Sequence, residues 1–414
     1  MSIFGRAEPL RAQSVADLEI SPPVPFREFA SRSERRVAKR PRDLLGRAGF
    51  AVSIYLATRL ALLLVAGICA AVQHKSLGAV LSLFDGGWYL KLAAHGYPTH
   101  ALHVKSTLGF FPLYPMVIRA VSFVTTTSYL TSALMTSFVG GALATLLVQR
   151  LATAWWGARV GRKAVLAFCL FPGTVVFSLA YSECLTVPLA LGTLLALRSK
   201  RWWLAGLLAG LATAVAPVAL VLVIACAVAA LRQIRQARQS GDRRSYKPLA
   251  AVALSVCGIG GFAIFLWVWT GTPFATLSAQ HYGWYQQSEP LGIFGLPIVH
   301  HLVAHPRDVI AYLPSWNLWN GILGGAFLLL SIIGLWRSRH ELSPGAFAYV
   351  LGIGLITIWS VMTPPNARMI LIATPAVLIW ARRLSPRGLT VFLTVEGALF
   401  VFMSALTLSG HMLP

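Results

Sequence analysis

The chain has 414 residues, of which 57% are hydrophobic and only 12% charged, with a formal net charge of +22. A soluble domain carries about 25% charged residues, so this composition excludes a soluble globular enzyme and reads as a polytopic helical membrane protein. The basic excess lies in the flanks of apolar runs, where the positive-inside rule and attraction to anionic membrane lipids put it, so no nucleic-acid partner is expected.

Residues 1–48 are polar, rich in Pro and Arg, and end in a cluster that includes Arg32, Arg35, Arg36, Lys39, Arg40, Arg42 and Arg47. They are expected to form a cytoplasmic, basic, disordered tail. No apolar core follows the start as a signal peptide requires. Residues 49–414 are expected to form one multi-span domain: an all-α bundle of about 10–12 transmembrane helices. Apolar runs place spans at 49–73, 129–154, 164–181, 184–198, 204–231, 248–270, 318–336, 344–361, 367–381 and 389–408. The basic hinges near Arg159, Arg198, Arg232–Lys247, Arg337 and Arg382–Arg387 are assigned to the cytoplasm. The segment 202–231 lies between two such hinges and must cross an even number of times. Pro217 at its centre predicts two short half-helices meeting there. The long outer loops 74–128 and 271–317 are rich in aromatics and Leu, and are expected to lie on the membrane surface. The five cysteines are scattered among apolar residues and form neither a disulfide framework nor a metal spacing.

Acids are scarce: 13 Asp+Glu in total. Asp85, in the first outer loop, is therefore the leading candidate for any chemistry that needs a carboxylate. The same face collects Glu183, Glu289 and Asp308, the cations Lys75, Lys91, Lys105, Arg119, Arg307 and Arg368, and nine of the ten histidines. This mixture suits a reaction with an anionic leaving group at a bilayer surface, although Asp85-Gly86-Gly87 also fits a plain turn. His300-His301 with His305 is the nearest approach to a metal motif, but it lacks the glutamate of the zinc-protease pattern and Pro306 follows at once. No metal and no cofactor are expected.

Several motifs carry a resemblance. Asp85-Gly86-Gly87-Trp88-Tyr89-Leu90-Lys91-Leu92-Ala93-Ala94-His95-Gly96-Tyr97 resembles the W-D-x-x-x-Y/F-x-x-I-A-x-x-G-Y signature of the GPI mannosyltransferase 2 (PIG-V) family. Phe110-Phe111-Pro112-Leu113-Tyr114-Pro115 with Arg119, and Tyr181-Ser182-Glu183, are similar to further elements of that family. So are Thr272-Pro273 with Gln280 and Trp284, and Asn366-Ala367-Arg368 with Pro375. Phe84 stands where the family usually has Trp, Ala216 where relatives often carry Arg before Pro, and Cys184 where Ser is common.

The resemblance implies a GT-C-like glycosyltransferase fold and a polyprenyl-phosphate mannose donor. It implies transfer, with inversion, to a lipid, glycan or protein acceptor on the extracytoplasmic side of the cell membrane. Asp85 occupies the position of the expected general base. Arg368 and Arg119 are the expected phosphate cations, with Lys91 and His95 as further contacts. Trp88, Tyr89, Tyr97 and Trp284 are candidates for the sugar face, and Tyr181, Ser182, Glu183 and Gln280 for its hydroxyls. Glu183, at a span end, is expected to pair with an outer cation or to bind the sugar. Arg59, within the first span, is given no role. A transporter or flippase for a lipid-linked sugar shares the broken helices and outer cations, and a non-catalytic envelope-assembly scaffold is a third class. Transporters, however, usually show internal repeats and mid-membrane charges, neither of which is evident here.

Overall fold

The computed structural model describes residues 41–241, 246–284, 315–359 and 365–414. Among them every regular element is helical. Residues Ala48–Pro414 pack as one body.

Six helices are long and apolar enough to cross a membrane: Leu45–Val72, Tyr129–Trp156, Pro217–Gln239, Lys247–Thr270, Trp316–Arg337 and Pro386–Leu408. The first belongs to a helix that begins at Pro41 (α1, Pro41–Val72). Next come α2 (Leu77–Leu81), α3 (Asp85–His95), a short 3-10 turn (Thr107–Gly109) and α4 (Leu113–Thr125). The membrane helix α5 (Tyr129–Trp156) follows, started by the Ser128 hydroxyl, which accepts the Thr131 N–H. After it, α6 (Ala158–Leu170) and the 3-10 turn Pro172–Ser178 meet at 73° and make a seventh span only if the bent pair is counted as one.

The expected spans 184–198, 344–361 and 367–381 are helical, but among the described residues none is long enough to count as a membrane-crossing helix by itself. They are α7 (Glu183–Arg198, 16 residues), α14 (Pro344–Trp359, 16 residues) and the pair α15 (Ala367–Ile372) and α16 (Thr374–Arg383). Sixteen residues rise about 24 Å, less than the roughly 30 Å of bilayer hydrocarbon. Their apolar residues cover one another instead of lipid: most of α7 is buried on every side.

The break near Pro217 is present, but its halves are unequal. The first, α8 (Trp202–Thr213), has 12 residues and packs against α7 and α10 (Lys247–Ser255). The second runs from a 3-10 turn at Pro217 into α9 (Val221–Gln239) and is a full-length span. The helix continues through Arg232, Arg235 and Arg238, beyond the basic boundary that the sequence suggests. The remaining elements are α11 (Cys257–Thr270), α12 (Ala275–Ser278) with a π turn (Ala279–Gly283), α13 (Trp316–Arg337) and α17 (Pro386–Leu408).

Two close approaches fix the ground on which the site is built. Gly140 of α5 faces the Cys184 carbonyl so closely that any Cβ would collide with it, and this brings α5 onto the start of α7. Gly173 in the 3-10 turn faces the Ala367 carbonyl in the same way, which seats α15 on that turn. Fully buried Tyr55, Tyr114, Tyr181, Phe168 and Phe177 fill the space between these contacts.

Of the long outer loops, the first folds as α2 to α4. Met116, Phe123 and Val124 of α4 are exposed, consistent with a surface helix that offers apolar side chains to lipid. The second is described only as far as Trp284, so Glu289, His300, His301, His305, Arg307 and Asp308 lie outside the described residues.

Candidate active site

Asp85 is the first residue of α3. The turn into it is made by Phe84, whose φ of 55° and ψ of −120° place a bulky side chain in a conformation that only glycine adopts freely. Gly86 follows against Ala180, with the Ala180 carbonyl and Cβ at van der Waals distance from any added methyl. The backbone N–H of Asp85 donates to the Tyr181 hydroxyl at 3.3 Å. Strain at Phe84 and this bond together set the direction of the carboxylate.

Three charged residues from three distant segments meet here. Arg368, near the start of α15, donates from Nη1 to Asp85 Oδ2 at 2.7 Å. Its Nε lies 3.4 Å from Oε1 of Glu183, the first residue of α7, an ion pair without hydrogen-bond geometry. The guanidinium also stands over the Tyr181 ring, 5.5 Å from its centre. Asp85 keeps 31% of its side chain exposed and Arg368 17%, whereas Glu183 is only 7% exposed. Burial pushes the Glu183 carboxyl above the ordinary carboxylate range, outweighing the opposing pull of Arg368. At this site Glu183 Oε2 and Arg368 Nε are buried without a hydrogen-bond partner, and Asp85 Oδ1, on the partly exposed carboxylate, makes no hydrogen bond among the described residues. A carboxylate, a guanidinium with spare donors and a second carboxyl thus converge on one opening. Such a set can accept a proton from a hydroxyl and hold a phosphate.

Arg368 itself is seated from two sides. Asn366 caps α15 by accepting the Met369 N–H at 2.9 Å. Asn320 of α13 accepts the Ala367 N–H at 3.4 Å and donates to the Leu413 carbonyl at 3.1 Å.

The other candidates divide into three groups. Tyr89, Tyr181 and Ser182 are buried and face protein: the Tyr89 hydroxyl donates to Ser182 Oγ at 2.8 Å and ties α3 to the segment before α7. Trp88 and Trp284 form an aromatic cluster beside Asp85. Their ring centres are 5.1 Å apart, edge to face, and Trp88 stacks on Phe110 at 6.2 Å. Lys91 lies over Trp88 at 5.2 Å and Lys105 over Trp284 at 5.4 Å. The loop between them is held by Gln280, which donates to the Gly109 carbonyl at 2.6 Å, and by the Tyr97 hydroxyl, which donates to the Phe110 carbonyl at 2.8 Å. His95 and Arg119 stand apart: both are exposed and make no hydrogen bond or ion pair among the described residues.

The sequence pairs Glu183 with an unnamed outer cation, and the structure supplies Arg368. It does not anticipate that Arg368 would hold Asp85 as well. Arg59 is the residue that sequence reasoning passes over. It is 2% exposed in the middle of α1, and a charge at that depth is costly enough to be a signal in its own right.

A family model described as Mannosyltransferase (PIG-V) matches residues 53–286, a stretch that takes in Asp85, Glu183 and Trp284 and ends before Arg368. No curated protein matches the chain. Among solved structures the fold is similar to ArnT from Cupriavidus metallidurans bound to undecaprenyl phosphate, at 15% identity and a TM-score of 0.44, over 77% of this chain and 57% of that one. It is also similar to the oligosaccharyltransferase AglB from Archaeoglobus fulgidus in complex with an inhibitory peptide and a dolichol-phosphate. There the identity is 14% and the TM-score 0.44, over 86% of this chain and 55% of that one. The chain therefore spans little more than half the length of these two proteins. The family match covers more than half of the chain and takes in both carboxylates of the site, and the chain belongs to the PIG-V mannosyltransferase family.

Proposed function

We propose that the protein transfers mannose from polyprenyl-phosphate mannose to a hydroxyl of a lipid, glycan or protein acceptor at the extracytoplasmic face of the cell membrane, with inversion at the sugar. The observation that carries this reading is the 2.7 Å contact between Arg368 and Asp85 at a partly open site. It puts a phosphate-binding group and a proton acceptor side by side. Family membership supports mannose as the sugar.

Asp85 Oδ1 takes the proton of the acceptor hydroxyl as the hydroxyl oxygen bonds to the anomeric carbon. The bond from that carbon to the phosphate oxygen breaks, and its electron pair leaves on polyprenyl phosphate. This leaving group needs charge stabilisation more than protonation, which is the part assigned to Arg368. Arg368 keeps donors beyond the one given to Asp85, because a guanidinium carries five. Glu183 holds the far edge of Arg368. Trp88 and Trp284 form the apolar wall against which a sugar ring can lie. No cofactor enters this scheme.

The test is reconstitution of the purified protein in lipid with polyprenyl-phosphate mannose and a panel of lipid and glycan acceptors. Mannosylated product from the wild type and none from Asp85→Asn supports the reading. Donor movement across the bilayer without product favours a transporter and overturns it.

A further inference from the structure

We propose that Arg59 is a positioning residue for the Asp85–Arg368–Glu183 site and acts through the 3-10 turn Pro172–Ser178. Its guanidinium makes three hydrogen bonds to that turn. Nη1 donates to the Thr174 carbonyl at 2.6 Å and to Ser178 Oγ at 3.2 Å, and Nη2 reaches Thr174 Oγ1 at 3.3 Å. Thr174 Oγ1 in turn donates to the Phe171 carbonyl at 2.8 Å. Phe171 is the residue of the 73° bend between α6 and the turn, and Thr174 and Ser178 lie in the turn that follows it. A bend of this size takes carbonyls out of the helical ladder, and at membrane depth they must find partners within the protein. Thr174 takes the Cys169 and Phe171 carbonyls at the bend, and Arg59 takes the carbonyl and hydroxyl of Thr174 in turn. Among the described residues it pairs with no carboxylate, so its charge is spent on holding backbone and hydroxyl oxygens in one geometry.

Both halves of the site depend on the element that Arg59 holds. On one side, Gly173 lies against the Ala367 carbonyl and beside the Arg368 N–H, so the position of the turn sets the position of Arg368. On the other side, the chain leaves Ser178 and within a few residues delivers Ala180, Tyr181 and Glu183. Ala180 N–H donates to the Leu81 carbonyl at 3.3 Å, Tyr181 receives the Asp85 N–H, and Glu183 faces Arg368. A shift of the turn by a fraction of an ångström moves the guanidinium and its two carboxylates unequally. Contacts of 2.7 and 3.4 Å do not survive that together.

This inference rests on the reading of Arg368 as a phosphate ligand, and the experiment separates the two. Polyprenyl phosphate affinity and turnover are measured in reconstituted wild type, Arg59→Met, Arg59→Lys, Arg368→Met and the double variant Arg59→Met/Arg368→Met. Arg59→Met is expected to weaken polyprenyl phosphate by about tenfold, with partial rescue by Arg59→Lys, and to add nothing once Arg368 is gone. Wild-type affinity in a folded Arg59→Met protein overturns the proposal, and so does a double variant whose loss equals the product of the two single losses. If Arg59→Met does not fold, Gly173→Ala presses on α15 from the turn and is expected to reproduce the loss; unchanged affinity there overturns the proposal equally. If the wild type binds no polyprenyl phosphate, the functional reading fails but the positional one is still read. An Asp85→Cys/Arg368→Cys pair joined by a short thiol cross-linker is expected to lose most of its yield when Arg59→Met is added. An unchanged yield overturns the positional reading.

Discussion

Arg368 donates to the Asp85 carboxylate at 2.7 Å although 283 residues of chain separate the two. Asp85 and Glu183 each open a helix, where the partial positive charge of the N-terminus favours a carboxylate. Both turn to the same guanidinium. On the proposed reading, protonation of Glu183 leaves the trio neutral and favours a phosphate, whereas its ionisation gives a net negative charge that opposes one.

Asp85→Asn keeps a hydrogen-bonding side chain of the same size but removes the proton acceptor. Transfer is expected to fall by about 10²–10⁴-fold, the usual worth of a general base. Polyprenyl phosphate binding should stay within a few-fold of wild type. Turnover close to wild type in a folded variant would remove Asp85 from the role of base.

Arg368→Lys retains the charge and loses the planar fork that reaches two carboxylates at once. A fall in kcat/KM of about 10²–10³-fold is expected, on the scale of one lost donor to a developing charge. Steady-state kinetics over a donor series would show it, and unchanged kinetics would place the phosphate elsewhere.

Glu183 gives a pH dependence with a definite sign. Burial raises its folded pKa above the unfolded value, so the folded protein binds this proton more tightly. The stability linked to it is present below the ordinary carboxylate pKa and is lost as pH rises from there through the raised folded value. Donor affinity is expected to decline over the same window, as Glu183 gains its charge. Thermal unfolding and polyprenyl phosphate binding in Glu183→Gln should both be flatter with pH. Parallel curves for variant and wild type would remove Glu183 as the titrating group.

Tyr181→Phe deletes the acceptor of the Asp85 N–H and leaves the ring under Arg368. A loss of about 0.5–1.5 kcal/mol is expected, the net worth of one hydrogen bond. Because Phe84 holds the same turn in a strained conformation, activity should fall by more than stability. Unfolding midpoints and kcat measured on the same preparations would separate the two effects.

Gly140→Ala drives a methyl into the Cys184 carbonyl and pushes α5 from the start of α7. Overpacking of this kind costs about 1–3 kcal/mol, and the displaced α7 carries Glu183 with it. Gly67→Ala on α1, where a Cβ meets nothing within 4 Å, is the matched control and should be neutral or slightly stabilising. Equal unfolding midpoints for the two variants would contradict the close packing of α5 and α7.

Local rules made much of this legible beforehand. Apolar runs announced the long membrane helices, since a bilayer demands about 20 such residues whatever their neighbours do. Pro217 announced a break, because proline removes a hydrogen bond wherever it stands. Scarcity singled out Asp85, and motif order pointed to Tyr181-Ser182-Glu183 and Arg368. What hydropathy could not show is that α7 and the α15–α16 pair are too short or too broken to span alone, because an apolar residue buried by protein reads the same as one buried by lipid.

Sequence by itself therefore determined the class of the protein, the positions of most helices and the small set of charged residues available for chemistry. Only tertiary structure decided which of those charges meet. Arg368 and Arg119 are both outer cations on paper, with Arg368 the preferred phosphate ligand. The close approach of Gly173 to Ala367 and the hold of Arg59 on the turn bring the first to Asp85, while the second stays exposed on α4. Spacing along the chain carries no information about a contact between residues 283 positions apart. That contact is set by helix packing and by the backbone hydrogen bonds that a bent span must satisfy.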